Sequence, residues 1–210
     1  LHDAGEELTL DGTEAMVVPE RLRVPNNVFF TGTVNVDETT YMFSPKVLDR
    51  ANTIEFNDVD LEQYGSEEGF PPGDYRLRPG VSVESLLAAY RKPSPKDWRA
   101  LPPEYGARLR ALHALMSEHN LHFGYRVANE IARYMNLAAE FVGTTALETA
   151  YDLQVLQKVL PKLSGSRAKL EAPLTALLGH LEDEDLPLSA AKVGRMLKTV
   201  QSVGFVSFVE

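Results

Sequence analysis

The sequence contains no cysteine, a single tryptophan and no apolar run long enough to cross a bilayer. The absence of cysteine excludes disulfide bonds, thiol nucleophiles and Cys-ligated zinc. The lack of about 20 consecutive apolar residues argues against a transmembrane helix, so we expect a cytoplasmic protein without a membrane partner. Residues 1–7 are acidic and do not resemble a secretory signal. Because the chain does not begin with Met, we expect it to be processed or to belong to a longer protein.

Several motifs of catalytic chemistry are also missing. The sequence has neither the GxxxxGK[ST] loop that cradles phosphates nor an apolar strand ending in Asp-Glu that would hold Mg²⁺. No nucleophile-elbow Gly-x-Ser-x-Gly occurs. His113, His119 and His122 fall on one helical stretch, but no nearby carboxylate pair completes a metal site. We therefore predict no metal ligands in this chain and interpret the histidines as a helix C-terminal turn.

The charge is unevenly distributed. The formal net charge is −9, which argues against a nucleic-acid-binding surface over the whole chain. Residues 1–80 carry 6 Lys and Arg against 16 Asp and Glu, whereas residues 81–210 carry 15 against 14. Residues 70–80 contain three prolines and two glycines, which break regular structure. We predict domains at 1–70 and 81–210 with a linker at 71–80, the alternative being a surface loop within one domain.

The first part of the chain predicts short strands around one helix. Glu7–Leu10 and Ala15–Pro19 flank Asp11-Gly12, a hairpin turn signal. Val28–Val34 is apolar and β-branched, like a buried strand of a parallel sheet, and a polar cluster follows it. Ser44 and Pro45 predict the start of a helix that runs to Arg50, and 52–56 predicts another strand. One or two such strands cannot form a stable sheet alone, so we interpret this part as half of an α/β domain.

Beyond residue 80 the apolar residues recur with helical spacing. Ser189 is a reasonable N-cap for the last helix, and the tail Gly204–Glu210 alternates like a terminal strand. The expected helices are Val83–Arg91, Pro103–Asn120, Tyr125–Phe141, Leu147–Leu160, Ser166–Leu181 and Ser189–Val200.

The block VPNNVFFTGTVNVDETTYMFSPKVLDRANTIEF, from Val24 to Phe56, resembles the sensor-1 to arginine-finger segment of AAA+ NTPases. It is most similar to the McrB-like branch, the motor subunits of modification-dependent restriction systems. The resemblance covers about 35 residues strongly. The fold class that it implies is an α/β remnant, the second half of an AAA+ nucleotide-binding domain, followed by a mainly α-helical lid-like domain.

The resemblance implies roles for three residues in this block. Asn35 matches sensor 1, whose neutral amide orients the attacking water, the alternative being an Asn that caps the next turn. Glu38 stands where the pattern has Asp and would orient Asn35 or an Arg near the nucleotide, the alternative being a solvated acid. Arg50 matches the arginine finger, which offsets charge on the phosphate bound by the neighbouring subunit. Its alternative is a surface Arg paired with Asp49 or Glu55.

In the helical part, residues 123–127 resemble the lid segment that presents a sensor-2 Arg to the nucleotide. Arg126 is the candidate, with Arg108 and Arg133 as less favoured substitutes and an interhelical salt bridge as the alternative. Two basic segments are left. Residues 156–163 are interpreted as a solvated helix end. Lys192, Arg195 and Lys198 form a stripe that could contact nucleic acid, although a solvated helix face explains it equally well.

The implied function is NTP hydrolysis in a homo-oligomeric ring, which drives DNA translocation or remodelling while a separate nuclease subunit cuts. The cofactor is ATP or GTP with Mg²⁺, bound mainly upstream of Leu1. The 210-residue chain alone is predicted to be inactive because it lacks the phosphate and metal motifs. The alternative is a non-catalytic docking module, or a DNA-binding module, derived from an AAA+ protein.

Overall fold

The computed structural model describes residues 6–8, 16–18, 21, 28, 31–33, 45–48, 50–55 and 91–209. The chain forms two compact units, Leu1–Val34 and Asn35–Glu210. The predicted linker at 71–80 lies outside the described residues, and the boundary there stays a prediction. Among the described residues, no helix combines the length and apolar character that a membrane span requires.

The first unit contains a small antiparallel hairpin. Strand β1 is Glu6–Leu8 and β2 is Met16–Val18, and Leu8 lies opposite Met16. The predicted hairpin is therefore confirmed, although its turn lies outside the described residues. In the described part of the predicted strand Val28–Val34, Val28 and residues 31–33 are exposed and irregular, so no buried strand is observed there. A parallel strand is buried only when neighbouring strands and helices cover it, and no such neighbour is described here.

The second unit is mainly helical, as predicted for the C-terminal part. The helices of its described residues are α1 Pro45–Leu48, α2 Pro95–Ala100, α3 Pro103–Glu118, α4 Tyr125–Phe141, α5 Leu147–Gln154, α6 Arg167–Asp183 and α7 Pro187–Val203. A 3₁₀ turn, Thr144–Ala146, precedes α5, and a π-helical turn, Val155–Val159, and a 3₁₀ turn, Leu160–Lys162, follow it. The predicted helix Val83–Arg91 lies outside the described residues except for Arg91, which is in a bend.

The core is formed by the apolar faces that the helical spacing predicted. Residues three or four apart lie on one face of a helix, and α6 and α7 turn such faces towards each other. The buried apolar residues of this pair are Leu170, Leu174, Leu177, Leu181, Val193, Met196 and Val200. Burying one such side chain contributes about 1.5–3 kcal/mol, so this interface holds the two helices together.

The N-terminus of α7 is capped from another helix. Ser189, the predicted N-cap, lies inside the helix and is buried, because α7 begins at Pro187. The carboxylate of Asp152 in α5 instead accepts hydrogen bonds from the amides of Leu188 (2.8 Å) and Ser189 (2.9 Å). These amides have no partner within the helix, so Asp152 satisfies them and joins α5 to α7.

The C-terminal tail forms the predicted strand. Strand β4, Phe205–Ser207, pairs antiparallel with β3, Ser164–Ser166. Gly204 ends α7 with a φ of 86°, in the left-handed region that glycine adopts readily. This turn directs the tail back along the helices, where Val206 and Phe208 are buried in the core.

Asp97, in the first turn of α2, contacts Arg91 and Ser94, and these contacts lead to a pH-dependent prediction. Its buried carboxylate is paired with the Arg91 guanidinium and accepts a hydrogen bond of 2.8 Å from the Ser94 amide. The Arg91 hydrogen bond holds the pKa of Asp97 below its usual 3.8, against the opposing effect of burial. A lowered folded-state pKa stabilises the fold above the unfolded pKa, and this stability is lost as the pH falls through the folded value.

We therefore expect Asp97→Asn to lower the free energy of unfolding by a constant amount near neutral pH. The deficit relative to the wild type should shrink below about pH 4, because the unfolded wild-type chain binds a proton at Asp97 there, before the folded chain with its lowered pKa does. Urea unfolding at intervals from pH 7 to pH 3 measures it, with the exposed Asp183→Asn as the matched control. A deficit that stays constant down to pH 3 contradicts the assignment.

Candidate functional site

Residues 50–55, here called the finger segment because they begin with the predicted arginine finger, pack against the helical domain. The amide of Thr53 donates to the carbonyl of Gln157 (3.4 Å), and the Lys158 ammonium donates to the carbonyl of Ala51 (2.9 Å). The predicted strand at 52–56 is not observed, since 52–55 are irregular and bond to a helical turn. The finger segment is thus held by its backbone.

The sequence explains why the carbonyl of Gln157 is available to accept this hydrogen bond. Pro161 lies four residues later and has no amide to donate to that carbonyl, so the regular helical bond cannot form. The helix widens into the π-helical turn Val155–Val159, in which the Leu160 amide bonds back to the Val155 carbonyl. The prediction of a simple helix ending before Pro161 is therefore wrong, because the chain continues in π and 3₁₀ geometry through Lys162.

Lys158 is the buried centre of this contact. Its side chain is 2% exposed, and its ammonium forms an ion pair with the Glu130 carboxylate of α4 (2.7 Å) in addition to the bond to Ala51. The interpretation of 156–163 as a solvated helix end is thus wrong for Lys158. A buried ammonium must be paired to remain charged, and here the partners come from α4 and the finger segment.

Lys192 makes a second contact at the other end of the finger segment. Its ammonium, on a residue that is 5% exposed, binds the Glu55 carboxylate (2.7 Å) and the Phe208 carbonyl (2.6 Å). It also lies 4.4 Å from the centre of the Phe208 ring. The predicted basic stripe is therefore divided, because Arg195 and Lys198 are exposed while Lys192 faces inward.

Arg126 lies at the start of α4, one turn before Glu130. Its side chain is 44% exposed, and its Nε is 3.7 Å from Glu130 Oε1, while Lys158 approaches Oε2 of the same carboxylate. Burial lowers the pKa of Lys162, Arg126 lowers it further, and Glu130 opposes the shift. These four residues, here called the α4 cluster, place three cations around one carboxylate.

The two less favoured sensor-2 candidates have structural roles. Arg108 pairs with Glu148 (2.7 Å) and with Glu184, and its guanidinium lies over the Tyr105 and Tyr151 rings. Burial raises the pKa of Tyr105 to about 12. Arg133 lies 3.7 Å from Asp97. Arg126 is more accessible to a ligand than either.

The predicted catalytic residues are only partly placed by the described residues. Arg50 is exposed on the finger segment, and its amide donates to the Val47 carbonyl (2.9 Å). Glu55, proposed above as an alternative partner of Arg50, pairs with Lys192 instead. Asn35 and Glu38 lie outside the described residues. Sequence reasoning missed Glu130 and Lys158, although Pro161 four residues after Gln157 was a usable signal for a free carbonyl.

A separate groove of about 770 Å³ opens beside α2, α3 and the start of α4. The His113 ring packs against His122 and, edge to face, against Phe123, with ring centres 5.4 and 5.2 Å apart. The groove is lined by Pro95, Trp98, Leu109, Arg110, His113, His122, Phe123, Gly124, Tyr125, Ala128 and Asn129. Within the described part of the chain, no group of three or more His, Asp or Glu side chains could hold a metal ion.

A family model for a domain of unknown function, DUF8727, matches residues 83–205, more than half of the chain. The chain belongs to the DUF8727 family. The matched range contains the whole α4 cluster and Lys192, whereas the finger segment precedes it. The contact described above thus joins the DUF8727 domain to a segment outside it. No curated protein and no solved structure matches the chain significantly.

Proposed function

We propose that the chain is the C-terminal part of a McrB-like AAA+ NTPase. Residues 1–70 complete the nucleotide-binding α/β domain, and the helical domain acts as its lid. The whole protein hydrolyses ATP or GTP with Mg²⁺ in a homo-oligomeric ring. Hydrolysis drives DNA translocation or remodelling, and a nuclease subunit is the partner that cuts. The 210-residue chain alone does not hydrolyse NTP.

The observation that supports this proposal best is the anchoring of the finger segment. Arg50 is exposed, while the residues that follow it are bonded to the π-helical turn through Ala51 and Thr53. A guanidinium that acts on a neighbour's phosphate must extend from the surface and yet be held in place. An exposed side chain on an anchored backbone meets both requirements.

The α4 cluster supports a nucleotide-sensing role for Arg126. Arg126 lies in the first turn of α4, where no side chain caps the helix and the helix dipole favours an anion. Burial and Arg126 lower the pKa of Lys162, so the two basic side chains lie near each other, an arrangement that suits a phosphate group. In this proposal, Arg126 binds the nucleotide as sensor 2, Asn35 orients the attacking water, and Glu38 orients Asn35 or a neighbouring Arg.

A second candidate function, the non-catalytic docking module, is favoured by the groove beside α2. Its walls are largely apolar, and Tyr125 at its edge is almost fully exposed.

The DNA-binding alternative loses support, because the ammonium of Lys192 is engaged by Glu55 and Phe208.

The experiment that tests the proposal is complementation between two inactive variants of the full-length protein. Asn35→Ala removes sensor 1 from a subunit's own site, whereas Arg50→Ala removes the finger that it supplies to a neighbour. Each pure variant should be inactive. Rings assembled from equal amounts should recover hydrolysis at about a quarter of their interfaces, where an intact Asn35 meets an intact Arg50.

The matched control mixes Asn35→Ala subunits with subunits that carry both substitutions, and it should remain inactive. No recovery in the test mixture rules out a finger that acts in trans. Full hydrolysis by both single variants contradicts the roles of Asn35 and Arg50, whereas a wild-type full-length protein that does not hydrolyse NTP contradicts the NTPase proposal and favours the docking module.

A further inference from the structure

We propose that Lys158 is a positioning residue that couples the α4 cluster to Arg50. The inference rests on the proposed function only in taking Arg50 as the finger. Lys158 lies 107 residues after Ala51 in the sequence, yet its ammonium bonds to the carbonyl of Ala51, the residue directly after Arg50. Neighbouring Cα atoms are about 3.8 Å apart, so fixing the Ala51 peptide limits where the Arg50 side chain can begin.

The contact of Lys158 with Glu130 and Ala51 is strong because Lys158 is buried. The buried ammonium of Lys158 has an ion pair with one carboxylate and a hydrogen bond to one carbonyl, and both contacts offset the cost of desolvating the charge. Loss of the carboxylate leaves a charge uncompensated in the interior, and loss of the carbonyl leaves a buried donor without its acceptor. Lys158 therefore holds Glu130 and Ala51 in one arrangement, and movement of one is resisted by the other.

Glu130 extends this coupling to Arg126. The carboxylate faces Lys158 through Oε2 and Arg126 through Oε1, so it is shared between a buried cation and an accessible one. An anion that binds Arg126 changes the electrostatic interaction between Arg126 and Glu130. This changes the interaction of Glu130 with Lys158 and, through it, the hydrogen bond from Lys158 to Ala51. A path thus runs from Arg126 through Glu130 and Lys158 to the backbone beside Arg50.

The second contact, between Lys192 and Glu55, anchors the far end of the finger segment without touching the α4 cluster. Removal of Lys158 should therefore loosen the segment near Arg50 while its other end stays attached. This difference separates positioning of the finger from general unfolding of the segment.

The direct test is hydrogen exchange at residues 50–55 of the 210-residue chain. We expect Lys158→Met, which keeps the length of the side chain but removes its charge, to speed exchange of the Thr53 amide by about 10- to 100-fold. Exchange in α6 and α7 should not change. Lys198→Met, an exposed lysine, is the matched control. If Lys158→Met does not fold, Glu130→Gln serves instead and should also speed exchange at Thr53.

The second test measures hydrolysis by the full-length protein. Lys158→Met should lower kcat about 100-fold with little change in KM for NTP, since a misplaced finger impairs the chemical step rather than binding. In an Arg50→Ala background, Lys158→Met should have no further effect. Unchanged exchange at Thr53 overturns the proposal, and so does an Lys158→Met effect that adds in full to that of Arg50→Ala.

The two tests separate this inference from the proposed function. If Arg50→Ala hydrolyses NTP normally, the finger assignment fails, and the role of Lys158 in positioning a finger fails with it. The exchange measurement still decides whether Lys158 anchors residues 50–55. If Arg50→Ala is inactive while Lys158→Met is fully active, the finger assignment holds and the positioning role is overturned.

Discussion

Replacing Arg50 by alanine is expected to lower NTP hydrolysis by the full-length ring by roughly 10³- to 10⁵-fold, the range that arginine fingers supply. The guanidinium would offset charge that develops on the transferred phosphoryl group, and alanine leaves that charge uncompensated. Nucleotide affinity should change little, because in the proposed ring the nucleotide site of each subunit would lie mainly in its own α/β domain. Steady-state kcat and the equilibrium dissociation constant of the nucleotide are the two measurements.

Arg195→Ala is the matched control for this prediction. Arg195 is an exposed arginine on α7, and its removal should leave kcat within about twofold. A fall in kcat of less than about tenfold for Arg50→Ala contradicts the finger assignment. The residue would then be a surface arginine, the alternative that its position in the sequence left open.

Asp152→Ala is expected to lower the free energy of unfolding by about 3 kcal/mol. Asp152 is 3% exposed and accepts two backbone amides at the start of α7, so its removal leaves the buried Ser189 amide without an acceptor. The loss also detaches the start of α7 from α5. For a domain of this size, the melting temperature should fall by about 6–12 °C.

Denaturant unfolding and thermal melting of the 210-residue chain measure this effect. The control is Asp183→Ala, at the exposed end of α6, which should cost less than about 0.5 kcal/mol. Asp152→Asn should be intermediate, because its amide retains one oxygen that can accept a hydrogen bond. A loss below about 1 kcal/mol for Asp152→Ala contradicts the capping role.

The helices of the C-terminal part could be predicted because their signal is local. Tyr125–Phe141 matches α4 at both ends, and the predicted Pro103–Asn120 and Ser166–Leu181 agree with α3 and α6 to within two residues. A helix satisfies its own backbone hydrogen bonds, so the spacing of its apolar residues is nearly enough to locate it. The terminal strand was equally clear from its alternation.

The failed predictions concern segments whose structure depends on a partner. Val28–Val34 and 52–56 have strand-like composition, but a strand forms only beside another strand. Residues 52–55 instead meet the carbonyl that Pro161 leaves unbonded on Gln157. The choice of Ser189 as N-cap failed for the same reason, because the acceptor for the amides of α7 comes from α5.

The sequence by itself determined the absence of thiol chemistry and the positions of α3, α4 and α6, while the transition from an α/β part to a helical part and the roles of Arg50 and Arg126 stay predictions. Only the tertiary structure decided which charges are buried and which partners they have. Lys158 and Lys192 resemble any other lysines in the sequence, yet their partners in the finger segment lie 107 and 137 residues away. Local sequence patterns do not predict such pairs, because the partners come together only when the packed helices exclude water from particular side chains.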